Sequence, residues 1–253
     1  MNKHLLFLHL PKNGGTTLNS ILDRLYKKQK VFSIREKNPH ELNTADFLKL
    51  PKLEKERIRL VKGHLKFGFH EHFTGPSEYF TFLRKPEERI ISFYQYVLDN
   101  PSHRLFEEVS KMSLYEFVTQ LKDADTNNGQ VRWISGMVEE GEGMLEKALE
   151  NIQNHFSFVG FTEEFDESLI LLQEKYGWSL PYYKVQNRTR KRQSLEALDD
   201  KTKMAIADHN HLDQQLYTIF KERFDQQKKM IRNLNLKVLR LRSYNKLYSI
   251  YKG

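Results

Sequence analysis

Leu8-His9-Leu10-Pro11-Lys12-Asn13-Gly14-Gly15-Thr16-Thr17 is the stretch on which the fold turns. The apolar residues leading into it, Leu5–Leu10, read as a buried first strand, and a helical apolar spacing runs from about Thr16 to Lys28. Strand, glycine turn and helix start in that order bring outward-pointing backbone N–H groups and the positive end of the helix dipole to one point, where an anion is held. Gly14 and Gly15 allow close backbone approach, Thr16 and Thr17 bring hydroxyls, and Lys12 adds a cation. A Walker loop has its lysine after the glycines, whereas Lys12 precedes them. By itself the loop implies an anion site, with a plain strand–turn–helix corner as the alternative.

Outward from this loop, Val31–Ile34, Ile58–Lys62, Tyr79–Leu83 and Phe158–Phe161 read as strands. Helical patterns cover Asn43–Glu56 with a break at Pro51, a run opening at Pro86 and stopped by Asn100-Pro101, Ser113–Leu121, Gly143–Asn154, Phe165–Tyr176 and Asp199 to about Phe224. Ser113 and Glu116 stand at capping-box spacing. Strands alternating with helices predict an α/β fold, a mostly parallel central sheet flanked by helices. The 253 residues, 39% of them hydrophobic, suffice for a full core, and the absence of cysteine excludes disulfides, thiolate metal sites and a cysteine nucleophile. No run approaches the roughly 18–20 apolar residues of a membrane span, and the opening residues lack a secretory signal's pattern, so a soluble cytoplasmic protein is expected.

The net charge of +8 is unevenly spread. The last 70 residues hold 17 basic and 7 acidic side chains, against 24 and 26 in the first 183. Two clusters stand out, Arg188-Thr189-Arg190-Lys191-Arg192 and Lys228–Arg242. Such patches suit polyanions, acidic headgroups or phosphate-bearing cofactors, the plain alternative being a solvated helix face. Residues 1–225 read as one domain and 226–253 as a basic amphipathic tail that could dock on it, dimerise or touch a membrane.

A second signature narrows the first. In Tyr79-Phe80-Thr81-Phe82-Leu83-Arg84-Lys85-Pro86-Glu87-Glu88-Arg89-Ile90-Ile91-Ser92, Arg84 falls at a strand's carboxyl end and Ser92 on the helix that follows. Ligands of open α/β sheets sit outside the carboxyl ends of the strands, so Arg84 by its planar fork and Ser92 by its hydroxyl are placed to grip one phosphate. The alternatives are an ion pair of Arg84 with Glu87 or Glu88, and a surface serine.

At these residues the chain resembles the sulfotransferase superfamily, in particular the branch of heparan sulfate 2-O- and 6-O-sulfotransferases and their bacterial relatives. Pro11 to Thr17 is similar to the family's 5′-phosphosulfate loop, and Leu83 to Arg89 with Ser92 to its 3′-phosphate motif, Lys85 standing where Asp is commoner. Lys62-Gly63-His64 resembles the segment bearing the catalytic histidine, and Asn128-Gly129-Gln130-Val131-Arg132 an Asn-x-Gln-x-Arg stretch. Val159–Phe165 and Leu212–Tyr217 also fit. The resemblance spans about Phe7 to Phe224. It implies a P-loop-like fold and a transferase using 3′-phosphoadenosine 5′-phosphosulfate, with Lys12, Asn13, Gly14, Gly15, Thr16 and Thr17 on the 5′-phosphosulfate, Arg84 and Ser92 on the 3′-phosphate, and Arg188 and Lys191 in a late loop over the nucleotide or on an anionic substrate.

The implied reaction passes a sulfuryl group in line to an acceptor hydroxyl, with His64 as general base and Lys12 stabilising the leaving phosphate. Gln130 and Arg132 are candidates for orienting the acceptor. His9 reads as a packed histidine inside the first strand, and Trp133 and Trp178 as core. No metal is required, the acceptor implied is a carbohydrate hydroxyl, and no nucleic acid partner is expected. The competing readings are a P-loop-like small-molecule kinase and a non-catalytic polyanion-binding module.

Overall fold

The computed structural model describes residues 3–34, 43–137, 141–184 and 194–251. Five strands form one sheet: β1 (His4–Leu8), β2 (Val31–Ile34), β3 (Leu60–Gly63), β4 (Ser77–Leu83) and β5 (Phe156–Phe161). Their order is β2-β3-β1-β4-β5 and every pairing is parallel, with Leu6 opposite Val61 on one side and Tyr79 on the other. All five residues of β1 are buried, as expected of a central parallel strand covered on both faces. The fold class read from the alternation of elements therefore stands.

The described helices are α1 (Gly15–Leu25), α2 (Thr44–Lys49), α3 (Lys52–Arg57), α4 (Pro86–Leu98), α5 (Phe106–Val109), α6 (Leu114–Thr119), α7 (Gly129–Ser135), α8 (Met144–His155), α9 (Phe165–Tyr176), α10 (Asp200–His209), α11 (His211–Met230) and α12 (Leu234–Tyr251). The capping box at α6 is formed, Ser113 Oγ accepting from the Glu116 amide at 3.2 Å while a Glu116 carboxylate oxygen accepts from the Ser113 amide at 2.7 Å.

Two differences from the sequence reading bear on function. The first strand ends at Leu8 rather than Leu10, which releases His9 and Leu10 into the loop. The helix expected over 199–224 is two helices broken at Asn210, whose side-chain amide donates to the Ile206 and Thr126 carbonyls.

Chain direction positions the site. From β1 the chain crosses through α1 to β2 on one side of the sheet, while β4 leads through α4 toward β5 on the other. The carboxyl ends of the neighbouring strands β1 and β4 thus flank a topological switch point, where open α/β sheets carry their ligands. The main core surrounds the sheet. A smaller one joins Ile90, Phe93 and Val97 of α4 to Val109, Phe117 and Ile206, so α4 is buried on its far side and offers only a polar stripe to the switch point.

Candidate active site

The loop after β1 is shaped by backbone conformations that most residues avoid. Gly14, the N-cap of α1, has φ 76°, and Lys12 has φ 69°, one of three non-glycine residues with positive φ among those described. A Cβ at Gly15 would fall 1.8 Å from Nε2 of His9, so only glycine lets that imidazole lie against the helix start. Gly14 gives α1 no side-chain cap, and the first-turn amides of Gly15, Thr16 and Thr17 have no carbonyl of their own helix to bond. Thr16 is exposed and Thr17 buried.

Arg84 closes the other side of the mouth. Its Nη1 donates to the Lys12 carbonyl at 2.7 Å and its Nη2 lies 3.7 Å from Glu88, the ion pair that sequence offered as an alternative use. The Lys12 ammonium rests over the Tyr96 ring, 3.8 Å from its centroid. Glu88, Ser92 and Tyr96 follow one another at four-residue spacing on α4 and so share one face. Ser92, only 6% exposed, therefore stands on the stripe between the partner of Arg84 and the seat of Lys12. Lys12, Arg84 and Ser92 are brought to one place from two stretches more than 70 residues apart.

His64 stands just past the end of β3. Its Nδ1 lies 3.1 Å from the His9 carbonyl and must donate to it, which leaves Nε2 as the basic nitrogen of the neutral ring. The His9 ring stacks on it with centroids 4.4 Å apart, and Trp133 lies at 6.0 Å. The expectation for His9 is corrected here: it is not inside the strand but at the mouth. Parallel register pairs Leu8 with Gly63 and the His9 amide donates to the Gly63 carbonyl at 3.0 Å, so the next residue of each strand, His9 and His64, must meet. Trp133 is partly buried, packed on the main core, with Nε1 donating to Asp125 at 2.9 Å.

Asn13 and Gln130 tie these pieces together. Asn13, 2% exposed, donates from Nδ2 to the Phe82 carbonyl at 2.7 Å and to Gln130 Oε1 at 2.8 Å. Gln130 Oε1 also accepts from the Arg84 amide at 3.0 Å, and its Nε2 donates to the Arg84 carbonyl at 2.9 Å. The structure thus gives Gln130 a use other than meeting an acceptor: buried, it brackets the Arg84 peptide. Arg132, two residues on, lines a separate cavity with Lys122, Asp123 and His209 on another side of α7. Asn13, expected at the phosphosulfate, spends its amide nitrogen on holding the loop to β4.

Behind the bracket lies a buried charge. Asp213 accepts from the Gln130 and Val131 amides at 3.1 and 2.8 Å, capping α7, while Asn128 Oδ1 accepts from the Leu212 and Asp213 amides, capping α11 in return. Arg89, 1% exposed, lies 3.8 Å from Asp213 and donates to the Asp125 carbonyl at 2.6 Å. Burial pushes the Asp213 carboxyl upward, and Arg89 and the two amides oppose it. Sequence singled out both segments, Asn128–Arg132 and Leu212–Tyr217, but not that they meet.

Arg188 and Lys191 lie outside the described residues. Much of the basic tail is occupied: Lys228 pairs with Glu164, Lys237 with Glu174 at 2.7 Å and Arg242 with Asp166 at 2.7 Å. Among the described residues no group of three or more His, Asp or Glu could hold a metal ion, and no helix is long and apolar enough to cross a membrane.

The mouth thus offers two cations, a serine on α4, a helix start with glycine as its N-cap and an imidazole presenting a basic nitrogen, a set suited to a phosphate-bearing anion and to proton removal beside it. A family model described as "Sulfotransferase family" matches residues 1–234. No curated protein matches the sequence. Among solved structures, mouse sulfotransferase SULT7A1 complexed with PAP aligns with 15% identity and a TM-score of 0.41, over 83% of this chain and 64% of that one.

Proposed function

The chain belongs to the sulfotransferase family, and from that premise we propose that it transfers a sulfuryl group from 3′-phosphoadenosine 5′-phosphosulfate to an acceptor hydroxyl, on a carbohydrate. The donor supplies a sulfur atom already bonded to a good leaving group. In this reading Lys12, Gly14, Gly15, Thr16 and Thr17 hold its 5′-phosphosulfate and Arg84 with Ser92 its 3′-phosphate. The residues fit that role because a helix start with glycine as its N-cap and two cations meet at one mouth.

His64 takes the acceptor proton at Nε2 as the acceptor oxygen bonds to sulfur and the sulfur–oxygen bond to the phosphate breaks. The His9 carbonyl fixes the tautomer by accepting from Nδ1. The Lys12 ammonium meets the charge gathering on the departing phosphate. The carbohydrate is favoured by the branch resembled, Trp133 being packed on the core with its indole N–H bound to Asp125.

The observation that carries the proposal is the Arg84 to Lys12 hydrogen bond at 2.7 Å, which joins the two phosphate motifs at one mouth. Calorimetry with 3′-phosphoadenosine 5′-phosphate is expected to show binding by the purified chain, and no binding would count against the reading. His64→Ala is expected to keep that binding while sulfuryl transfer falls by roughly 10²–10⁴-fold. Normal turnover by that variant would remove His64 from the base role.

A further inference from the structure

α12 has two apolar faces, and the fold uses one. Val238 and Leu241 are buried against the main core, and Asn245 accepts from the Tyr183 amide at 2.7 Å, so that side is fixed to the protein. Leu236, Leu239, Leu247 and Ile250 occupy the opposite side and are 53–67% exposed. At 100° per residue these four, with Ser243, fall within one narrow stripe pointing outward. Arg240 and Tyr244 border it on one edge, Lys246 and Arg242 on the other. Of nine large apolar side chains that are strongly exposed among the described residues, six lie between Met230 and Ile250. Scattered exposed leucines need no explanation, but a stripe does.

Charge decides what covers it. Residues 226–253 contain eight Lys and Arg and no Asp or Glu. Glu164, at the N-cap of α9, and Glu174 and Asp166 within it face the inner side of this region, where they engage Lys228, Lys237 and Arg242. For Arg240 and Lys246, at the borders of the stripe, no ion pair is seen among the described residues. A second copy laid on the same face would set these cations against their like with no acid between them. A soluble polyanion would answer the cations and leave four aliphatic side chains in water. An anionic bilayer answers both, because aliphatic groups enter the acyl boundary while long basic side chains at the edges reach the headgroups.

We propose that the outward stripe of α12, Leu236, Leu239, Leu247 and Ile250 with Arg240 and Lys246, is an in-plane docking surface for an anionic lipid bilayer. The helix lies on the membrane with its inner face still packed on the domain. The proposal is independent of the reaction at the β1–β4 mouth.

The test is co-sedimentation of the full chain with phosphatidylcholine–phosphatidylglycerol vesicles and with pure phosphatidylcholine vesicles. Binding is expected to the anionic vesicles, to be far weaker on neutral ones, and to weaken with added salt. Because the positions are exposed, Leu239→Asp with Leu247→Asp should leave thermal unfolding unchanged and lower vesicle affinity by about 100-fold or more. Arg240→Gln with Lys246→Gln should lower it by about 30-fold. Absence of binding to anionic vesicles, or equal binding by the aspartate variant, overturns the proposal. So does a dimer in equilibrium sedimentation that the aspartate variant dissolves, which would assign the face to a second copy. Binding to heparin or RNA without vesicle binding overturns it as well, by assigning the charge to a soluble polyanion.

Discussion

Lys12 holds a backbone conformation that costs a lysine about 1–2 kcal/mol. Two contacts depend on it: the carbonyl turned toward Arg84, and the ammonium resting on Tyr96. A cation over an aromatic face gains about 0.5–2 kcal/mol, enough to fix where the charge waits. Tyr96→Leu keeps a bulky apolar side chain without the ring, and is expected to lower kcat by roughly 2- to 30-fold with a smaller change in affinity for 3′-phosphoadenosine 5′-phosphate. Tyr96→Phe keeps the ring and should restore turnover. Wild-type kcat in the folded leucine variant would show that the ring does not position Lys12. Lys12 and Arg84 were legible in the sequence because each belongs to a local strand–turn or strand–helix pattern. His9 was not, since its meeting with His64 follows from the register of β1 on β3, a pairing of residues 55 positions apart.

Among the elements, α4, α7 and α11 are locked by charges and caps rather than by apolar surface alone. The break at Asn210 serves that lock: an unbroken helix over 199–224 would have no N-terminus at Leu212 for Asn128 to cap. Gly129 belongs to it too, because a Cβ there would lie 2.2 Å from Arg89 Nη2. Asp213→Ala removes the caps of α7 and takes one of two acidic neighbours from the buried Arg89 guanidinium, leaving it Asp125, so a loss of about 3–5 kcal/mol in unfolding free energy is expected. Urea denaturation measures it, and a loss under about 1 kcal/mol would mean that Arg89 finds other partners. Since α7 carries Gln130, which brackets Arg84, nucleotide affinity should fall in the same variant. Strand positions and most helices could be read from periodicity, but α7 and the Asn210 break could not, because residues far apart in sequence decide both.

Across the whole molecule, the candidate site and a histidine that burial disfavours in its charged form lie toward opposite ends of the central strands. The mouth lies at the carboxyl ends of β1 and β4. Near the amino ends of β4 and β5, the His70 ring lies 4.3 Å from that of His155, and both the His70 amide and Nδ1 meet the Tyr79 hydroxyl, at 2.9 and 3.1 Å. Burial holds the His70 pKa below its ordinary 6.5, and the neighbouring charge of His155 adds to that, with Glu71 pulling the other way. The folded protein therefore prefers His70 neutral. As pH falls below about 6.5 the unfolded chain takes up the proton first, so stability declines from there through the lower folded-state pKa and then levels off for this group. Glu164 and Asp225 add nothing in that window. Despite burial, which raises them, Lys221 and Lys228 hold both carboxyls below their ordinary values, so their stabilisation is lost only in stronger acid. Urea midpoints measured at about pH 7.5 and about pH 5.5, which bracket the ordinary histidine pKa, should therefore fall further for wild type than for His70→Gln. An equal fall in both proteins would place the acid sensitivity elsewhere.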